Sequence, residues 1–172
     1  MRWSAVCLIA AICVASVGCG EQHENDGSKR VSQERVTELE NQLRTKPPFE
    51  AAQDEYRNAM RGMADQIAAL VPGTTWNFVQ DTFTDCGGDY VWTDAKEAYF
   101  LIGFSRPIPD EKWDKAVQIV KDGTSRFRAT NLVVAKNNSG DHDVSISGSD
   151  GVDFKLSSQK AAAFTGRSDC RM

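Results

Sequence analysis

From Phe49 to Val71 apolar side chains recur at Phe49, Ala52, Tyr56, Ala59, Met60, Met63, Ile67, Leu70 and Val71, and directly after Pro72-Gly73 the repeat shortens to two, with Trp76, Phe78 and Gln80 alternating against Asn77, Val79 and Asp81. The first period belongs to a helix that buries one stripe, and the second to a strand that buries one face. A chain that changes period across a proline-glycine stop has to cover a sheet with a helix to hide both apolar surfaces. This constrains the fold more than any single residue does.

The remaining segments extend the pattern. A shorter helix is expected over residues 32–45, with Val36, Leu39 and Leu43 as a narrow stripe and Ser32 as N-cap, ended by Lys46-Pro47-Pro48. Strands are expected over 75–83 and 96–105, the second carrying the dense run Ala98 to Ile102, and Tyr90-Val91-Trp92 reads as a short strand between them. Arg106-Pro107-Ile108-Pro109 interrupts the sheet. Asp110 then caps a helix to about residue 121, with Trp113, Ala116, Val117 and Val120 on one face and Gly123 as its stop. Three strands follow over 127–136, 143–149 and 152–157, joined by Asn137-Asn138-Ser139-Gly140 and by Asp150-Gly151, both with hairpin chemistry. The expected fold is α+β: a mainly antiparallel sheet with a long N-terminal amphipathic helix and a second helix packed on one face.

The N-terminus has a different character. Met1-Arg2 is followed by fifteen residues without a charge, 3–17, which have the size and flanks of a secretory signal peptide and fall short of the ~20 apolar residues that a membrane helix needs. Ala15-Ser16-Val17-Gly18-Cys19 resembles the lipobox of bacterial lipoproteins, in which the chain is cleaved after the residue corresponding to Gly18 and the cysteine thiol takes a diacylglyceryl group. Ser16 stands where the motif has a branched aliphatic residue, and ordinary signal-peptidase cleavage is the alternative. Residues 20–30, GEQHENDGSKR, contain nothing that could be buried. The chain thus divides into a signal peptide, 1–18, a lipidated flexible tether, 19–30, and a single α+β domain, 31–172.

Of the five cysteines, Cys7 and Cys13 lie in the leader, and Cys19, Cys86 and Cys170 leave an odd number behind it. Lipidation of Cys19 removes it from the count, and a Cys86–Cys170 disulfide is then the one intramolecular bridge available; two buried free thiols are the alternative. Such a bridge would close a loop of about 85 residues and, in the chain-entropy model, contribute about 4.6 kcal/mol.

The formal charge of −4, with basic residues scattered along the chain, supplies no electrostatic footprint for nucleic acid and no attraction to an anionic membrane surface. The two histidines are His23, in the tether, and His142, which lies between Asp141 and Asp143 and reads as part of a solvated turn. No Gly-x-Ser-x-Gly elbow, Cys-x-x-Cys pair, His-Glu-x-x-His helix or Gly-rich phosphate loop is present, so no catalytic residue, cofactor or metal ligand is assigned. Asp81, Asp85, Asp89 and Asp94 crowd a glycine turn but lack the alternation of an EF-hand loop, and read as solvated carboxylates. Gly148 to Asp153 contains one calcium-repeat-like run, which a tight hairpin explains equally well. Trp76 and Trp113 fall on apolar faces, whereas Trp92 is the tryptophan expected at the surface.

Phe49-Glu50-Ala51-Ala52 through Ile67 to Phe78, the helix Asp114 to Val120, the hairpin Asp141 to Val144 with Asp153 to Leu156, and the ending Thr165-Gly166-Arg167-Ser168-Asp169-Cys170 are similar to segments of the mycobacterial LppA, LppB and LppV lipoproteins. The resemblance covers most of the chain from about Phe49 onward. It implies a lipid-anchored, acylated envelope protein at the extracytoplasmic face of the cell membrane, with Cys19 as the modified residue and Cys86 and Cys170 matching cysteines of the family. It implies no molecular activity. The expected function is a non-catalytic binding or assembly module that meets an envelope protein, glycan or lipid. An envelope hydrolase with a dispersed active site and a structural or antigenic surface lipoprotein are the alternatives.

Overall fold

The computed structural model describes residues 31–172. The expected signal peptide, its expected cleavage after Gly18, the expected tether and Cys19 lie outside the described residues. In chain order the elements are α1 (Gln33–Leu43), α2 (Phe49–Leu70), β1 (Trp76–Asp85), β2 (Lys96–Phe104), α3 (Asp110–Thr124), β3 (Asn131–Asn138), β4 (Asp141–Ser147), β5 (Asp153–Ser158) and β6 (Ala162–Arg167). The strands form one antiparallel sheet in the order β1-β2-β6-β5-β4-β3.

The helices begin and end for identifiable reasons. The Ser32 hydroxyl accepts from the Arg35 amide at 3.3 Å and caps α1, whose stripe Val36, Leu39 and Leu43 is buried. Pro48 occupies the N-cap position of α2 with φ −63°, and Gly73, at φ 77°, supplies the left-handed turn that leads into β1. Met60, Met63, Ala64 and Ile67 of α2 and Trp113, Ala116 and Val120 of α3 pack over Phe100, Ile102, Phe154, Leu156 and Phe164 of the sheet. Both methionines are core residues, in keeping with their helical spacing.

The structure alters several expectations. Gly123 does not end α3. It lies inside the helix, where a β-carbon would run into the Met63 side chain, so this glycine sets how closely α3 approaches α2. Tyr90-Val91-Trp92 is not a strand: Gly88–Tyr90 form a 3-10 turn, with Gly88 at φ 60°, and Trp92 is 56 % exposed. The strand expected from residue 127 begins at Asn131, because Ser125–Phe127 continue from α3 as a 3-10 turn. That turn places the Phe127 ring 4.0 Å from the Tyr56 ring, stacked upon it.

One strand went unanticipated. β6, Ala-Ala-Phe-Thr-Gly-Arg, contains a single large apolar residue, so its period of two is faint in composition. Its place explains that composition. β6 lies between β2 and β5 beneath α2, and a β-carbon on Gly166 would come 2.6 Å from the Met60 sulfur. A small residue is required where a central strand meets a helix that closely.

Cys86, just after β1, and Cys170 are joined in a disulfide with Cα atoms 6.0 Å apart. With Leu43 and Ala95 they form a second, smaller core that seats the end of α1. The C-terminal tail is further held by reciprocal Lys96 and Arg171 backbone hydrogen bonds and by the Phe49 amide donating to the Met172 carbonyl at 2.8 Å.

Candidate functional site

The disulfide-held tail forms one wall of a polar cleft of ≈ 370 Å³. The α1–α2 linker contributes Lys46, α2 contributes Glu55 and Tyr56, the turn after α3 contributes Arg126 and Arg128, the β4–β5 turn contributes Ser149 and Asp150, and the tail contributes Asp169 and Arg171. Apart from the linker and α2, which are continuous, these segments are well separated in sequence. Packing of α2 on the sheet brings them together.

Asp169 is the buried charge at the centre, its side chain 8 % exposed. Its Oδ2 accepts from Lys46 Nζ at 3.0 Å, and its Oδ1 from Arg171 Nε and Nη2 at 3.1 and 2.9 Å. A buried carboxylate is tolerable only when compensated in this way. Lys46 also donates to Asp150 at 3.3 Å, and Arg171 Nη1 donates to the Pro47 carbonyl at 3.3 Å. Burial works against the Lys46 ammonium, but its hydrogen bond to Asp169 and the charges of Asp169 and Asp150 prevail, so its pKa lies above the usual lysine value. Burial, reinforced by the Asp169 charge, pushes the Tyr56 phenol well above its ordinary range and keeps it protonated.

The other two cations are held differently. Arg126 lies over the Phe127 ring, its guanidinium carbon 4.7 Å from the centroid, and its Nη2 donates to the Glu55 carbonyl at 3.3 Å. Arg128 has φ 58° and ψ 20°, the left-handed conformation that usually follows a helix end with glycine. Gly148 allows the β4–β5 turn to approach it, since a β-carbon there would stand 2.8 Å from the Arg128 carbonyl oxygen. Neither Arg126 nor Arg128 makes an ion pair among the described residues.

His142 is not in a solvated turn. It lies in β4, 5 % exposed, with Nε2 2.9 Å from Asp110 Oδ1, Nδ1 2.9 Å from Asn137 Oδ1, and its ring stacked at 4.7 Å on Trp113. Asp110 is the first residue of α3 rather than its N-cap, a position taken by Pro109. Its carboxylate faces the β3–β4 turn instead, accepting from Ser139 Oγ at 2.6 Å and from the Gly140 amide at 2.8 Å. The Ser139 hydrogen bond, followed by those from His142 and Gly140, holds the Asp110 pKa down to about 2. Both imidazole nitrogens are engaged and the serine addresses the carboxylate, so these residues make a clasp between α3 and the hairpin rather than a nucleophile-base pair.

The acidic loop residues do not share a site. Asp81 receives Arg57 Nε and Nη2 at 2.6 and 2.9 Å, and Arg57 also pairs with Asp54, tying α2 to β1. Asp85, Asp89 and Asp94 are exposed. The one grouping of three metal-ligand-type residues among those described is Cys86, Glu97 and Cys170, in which both sulfurs belong to the disulfide. Trp113 is buried, and the half-buried Trp76 donates its indole N–H to Asp65 at 2.9 Å. Asp150 and Gly151 have φ 65° and 84°, the positive angles expected of that turn.

The cleft itself was not evident in the sequence. Its charges looked scattered because they are scattered along the chain, and Arg126-Phe127-Arg128 directly behind a helix was the one local sign of it.

A six-stranded antiparallel sheet covered on one face by two helices, with its C-terminal tail fixed by a disulfide beside a charged cleft, defines an α+β domain of the helix-on-sheet class. Residues 24–172 match the family model LppA, described as a lipoprotein confined to pathogenic Mycobacterium, and the chain belongs to this family. It is 27% identical over 180 residues to the Mycobacterium tuberculosis protein that bears the name lipoprotein LppA, covering 98% of this chain and 82% of that protein. Lipoprotein LppB of the same organism is 25% identical over 183 residues, covering 98% and 81%. The crystal structure of Mycobacterium tuberculosis LppA aligns with a TM-score of 0.69 at 26% identity, covering 85% of this chain and 90% of that one. Among the described residues no helix is long and apolar enough to cross a membrane.

Proposed function

We propose that the protein is a lipid-anchored, non-catalytic binding module of the cell envelope. It is held at the extracytoplasmic face of the cell membrane by acylation of Cys19 after cleavage behind Gly18, and residues 19–30 tether a single domain, 31–172. Membership of a lipoprotein family, the lipobox-like segment ending at Cys19 and the pairing of Cys86 with Cys170 support the anchor.

The observation that carries the binding reading is the cleft. Four stretches of the chain bring polar and charged groups to one place, and the two buried groups there suited to proton transfer are restrained: the Tyr56 phenol stays protonated and Asp169 is held by two cations. The site can hold a polar ligand without being equipped to transform it.

Two measurements test the reading. Cys19→Ala should move the protein from the membrane fraction to the soluble fraction; retention in the membrane would overturn the anchor. A photoreactive residue at Ser149, in the cleft wall, should give crosslinks in intact cells that the same residue at Thr37, on the outer face of α1, does not. Equal yields from the two positions would remove the cleft from consideration.

A further inference from the structure

We propose that the ligand of the cleft carries a phosphate group, and that Arg126 and Arg128 grip it. This rests on the cleft being the binding site and adds the chemistry of what enters it.

The charge pattern points to an anion. Lys46, Arg126, Arg128 and Arg171 face Glu55, Asp150 and Asp169, so the cleft has a cationic excess inside a chain whose net charge is −4. The excess is also localised. Lys46 and Arg171 are committed to Asp169 and Asp150, whereas Arg126 and Arg128 have no acidic partner among the described residues. Glu55, which is exposed, is the cleft acid without an ion pair among those residues. Two guanidinium groups, each a planar fork of donors, suit the oxygens of a phosphate better than lysine ammonium groups would. The Ser149 hydroxyl on the facing turn adds a neutral donor.

Arg128 supplies an independent reason. Its backbone is left-handed, a conformation that costs an L-residue other than glycine roughly 1–2 kcal/mol. Glycine would satisfy the turn more cheaply, so the turn geometry does not explain why arginine stands here. Arg128, two residues from Arg126, is the second arginine that lines the cleft.

The test uses the exported full chain carrying Cys19→Ala, so that its own acyl group does not drive membrane binding. Inorganic phosphate titrated into this protein should move the amide resonances of Arg126, Arg128 and Ser149, while chloride at equal ionic strength should not. Arg126→Ala and Arg128→Gly should each weaken phosphate binding about tenfold, the loss of one charge-assisted interaction. Arg128→Gly should melt at a higher temperature than its parent, which separates lost binding from lost folding. Glycerol phosphate and vesicles containing phosphatidic acid distinguish the sources: equal affinity per phosphate assigns a soluble phosphate ester, and much tighter vesicle binding assigns a lipid headgroup. Equal responses to chloride and phosphate, or unchanged affinity in both variants, would overturn the proposal. If those negatives occur while Ser149 crosslinks persist in cells, the phosphate is excluded and the cleft reading stands; if the crosslinks fail as well, both fall.

Discussion

Arg171 closes onto Asp169 across Cys170, its Nε and Nη2 lying 3.1 and 2.9 Å from Asp169 Oδ1. The disulfide cysteine therefore sits between two charged residues of the cleft, and the staple that ties the tail to the end of β1 also positions that wall. Stability and the geometry of the cleft meet in this one segment.

Replacing both Cys86 and Cys170 by serine should lower the urea midpoint. The chain-entropy limit for a bridge with a sequence separation of 84 is about 4.6 kcal/mol, and the surviving Lys96–Arg171 bridge should keep the measured loss below it. Hydrogen exchange should rise at Asp169 and Arg171 but not at Phe100 or Phe164. An unchanged midpoint, or two alkylatable thiols in the native protein under non-reducing conditions, would count against the bridge.

Asp169→Ala should destabilise the fold by about 3 kcal/mol, because it leaves the buried Arg171 without its carboxylate and Lys46 with Asp150 alone. Asp169→Asn should cost less, since it retains an oxygen acceptor. Chemical denaturation of the two variants would show this order, and equal costs would mean that the retained acceptor is immaterial and that the lost charge accounts for the whole effect.

Gly123→Ala sets two effects against each other. Alanine gains about 1 kcal/mol in helix propensity, and overpacking against Met63 costs about 1–3 kcal/mol. The clash should prevail and lower the melting temperature. The same change in a Met63→Ala background should be neutral or stabilising, and the double-mutant cycle measures that coupling. A stabilising effect in the parent would show that the helices have room to separate.

Acid sensitivity should arise in part from Asp110. Its pKa in the folded state is depressed to about 2, so the unfolded chain takes up this proton first. The contribution to stability is complete above the usual carboxylate range and disappears as pH falls from about 4 towards 2. Asp110→Asn should flatten this part of the stability curve, as followed by thermal melts between pH 2 and 5. An unaltered slope would mean that Ser139, His142 and Gly140 do not favour the ionised form.

Wherever one apolar face repeats over many residues, the structure follows the sequence reading closely. α2 runs from Phe49 to Leu70 and the Ser32 cap is in place, as are both expected hairpin turns. The misses share a physical cause. Gly123, Gly166 and the small residues of β6 are shaped by how closely Met63 and Met60 approach, and that proximity exists only after packing. His142 looked solvated between two aspartates because strand alternation sends Asp141 and Asp143 to the opposite face from the buried ring.

The sequence by itself determined the α+β class, the change of period at Pro72-Gly73, the lipobox-like segment at Cys19 and the shortlist of cysteines available to pair. These are properties of neighbouring residues or of a count. The tertiary structure alone decided that β6 enters the middle of the sheet and that Lys46, Tyr56, Arg126, Arg128, Asp169 and Arg171 share a cleft. Their convergence depends on burying one helix face against one sheet face, and that brings together charges from positions 46 to 171 which no local pattern connects.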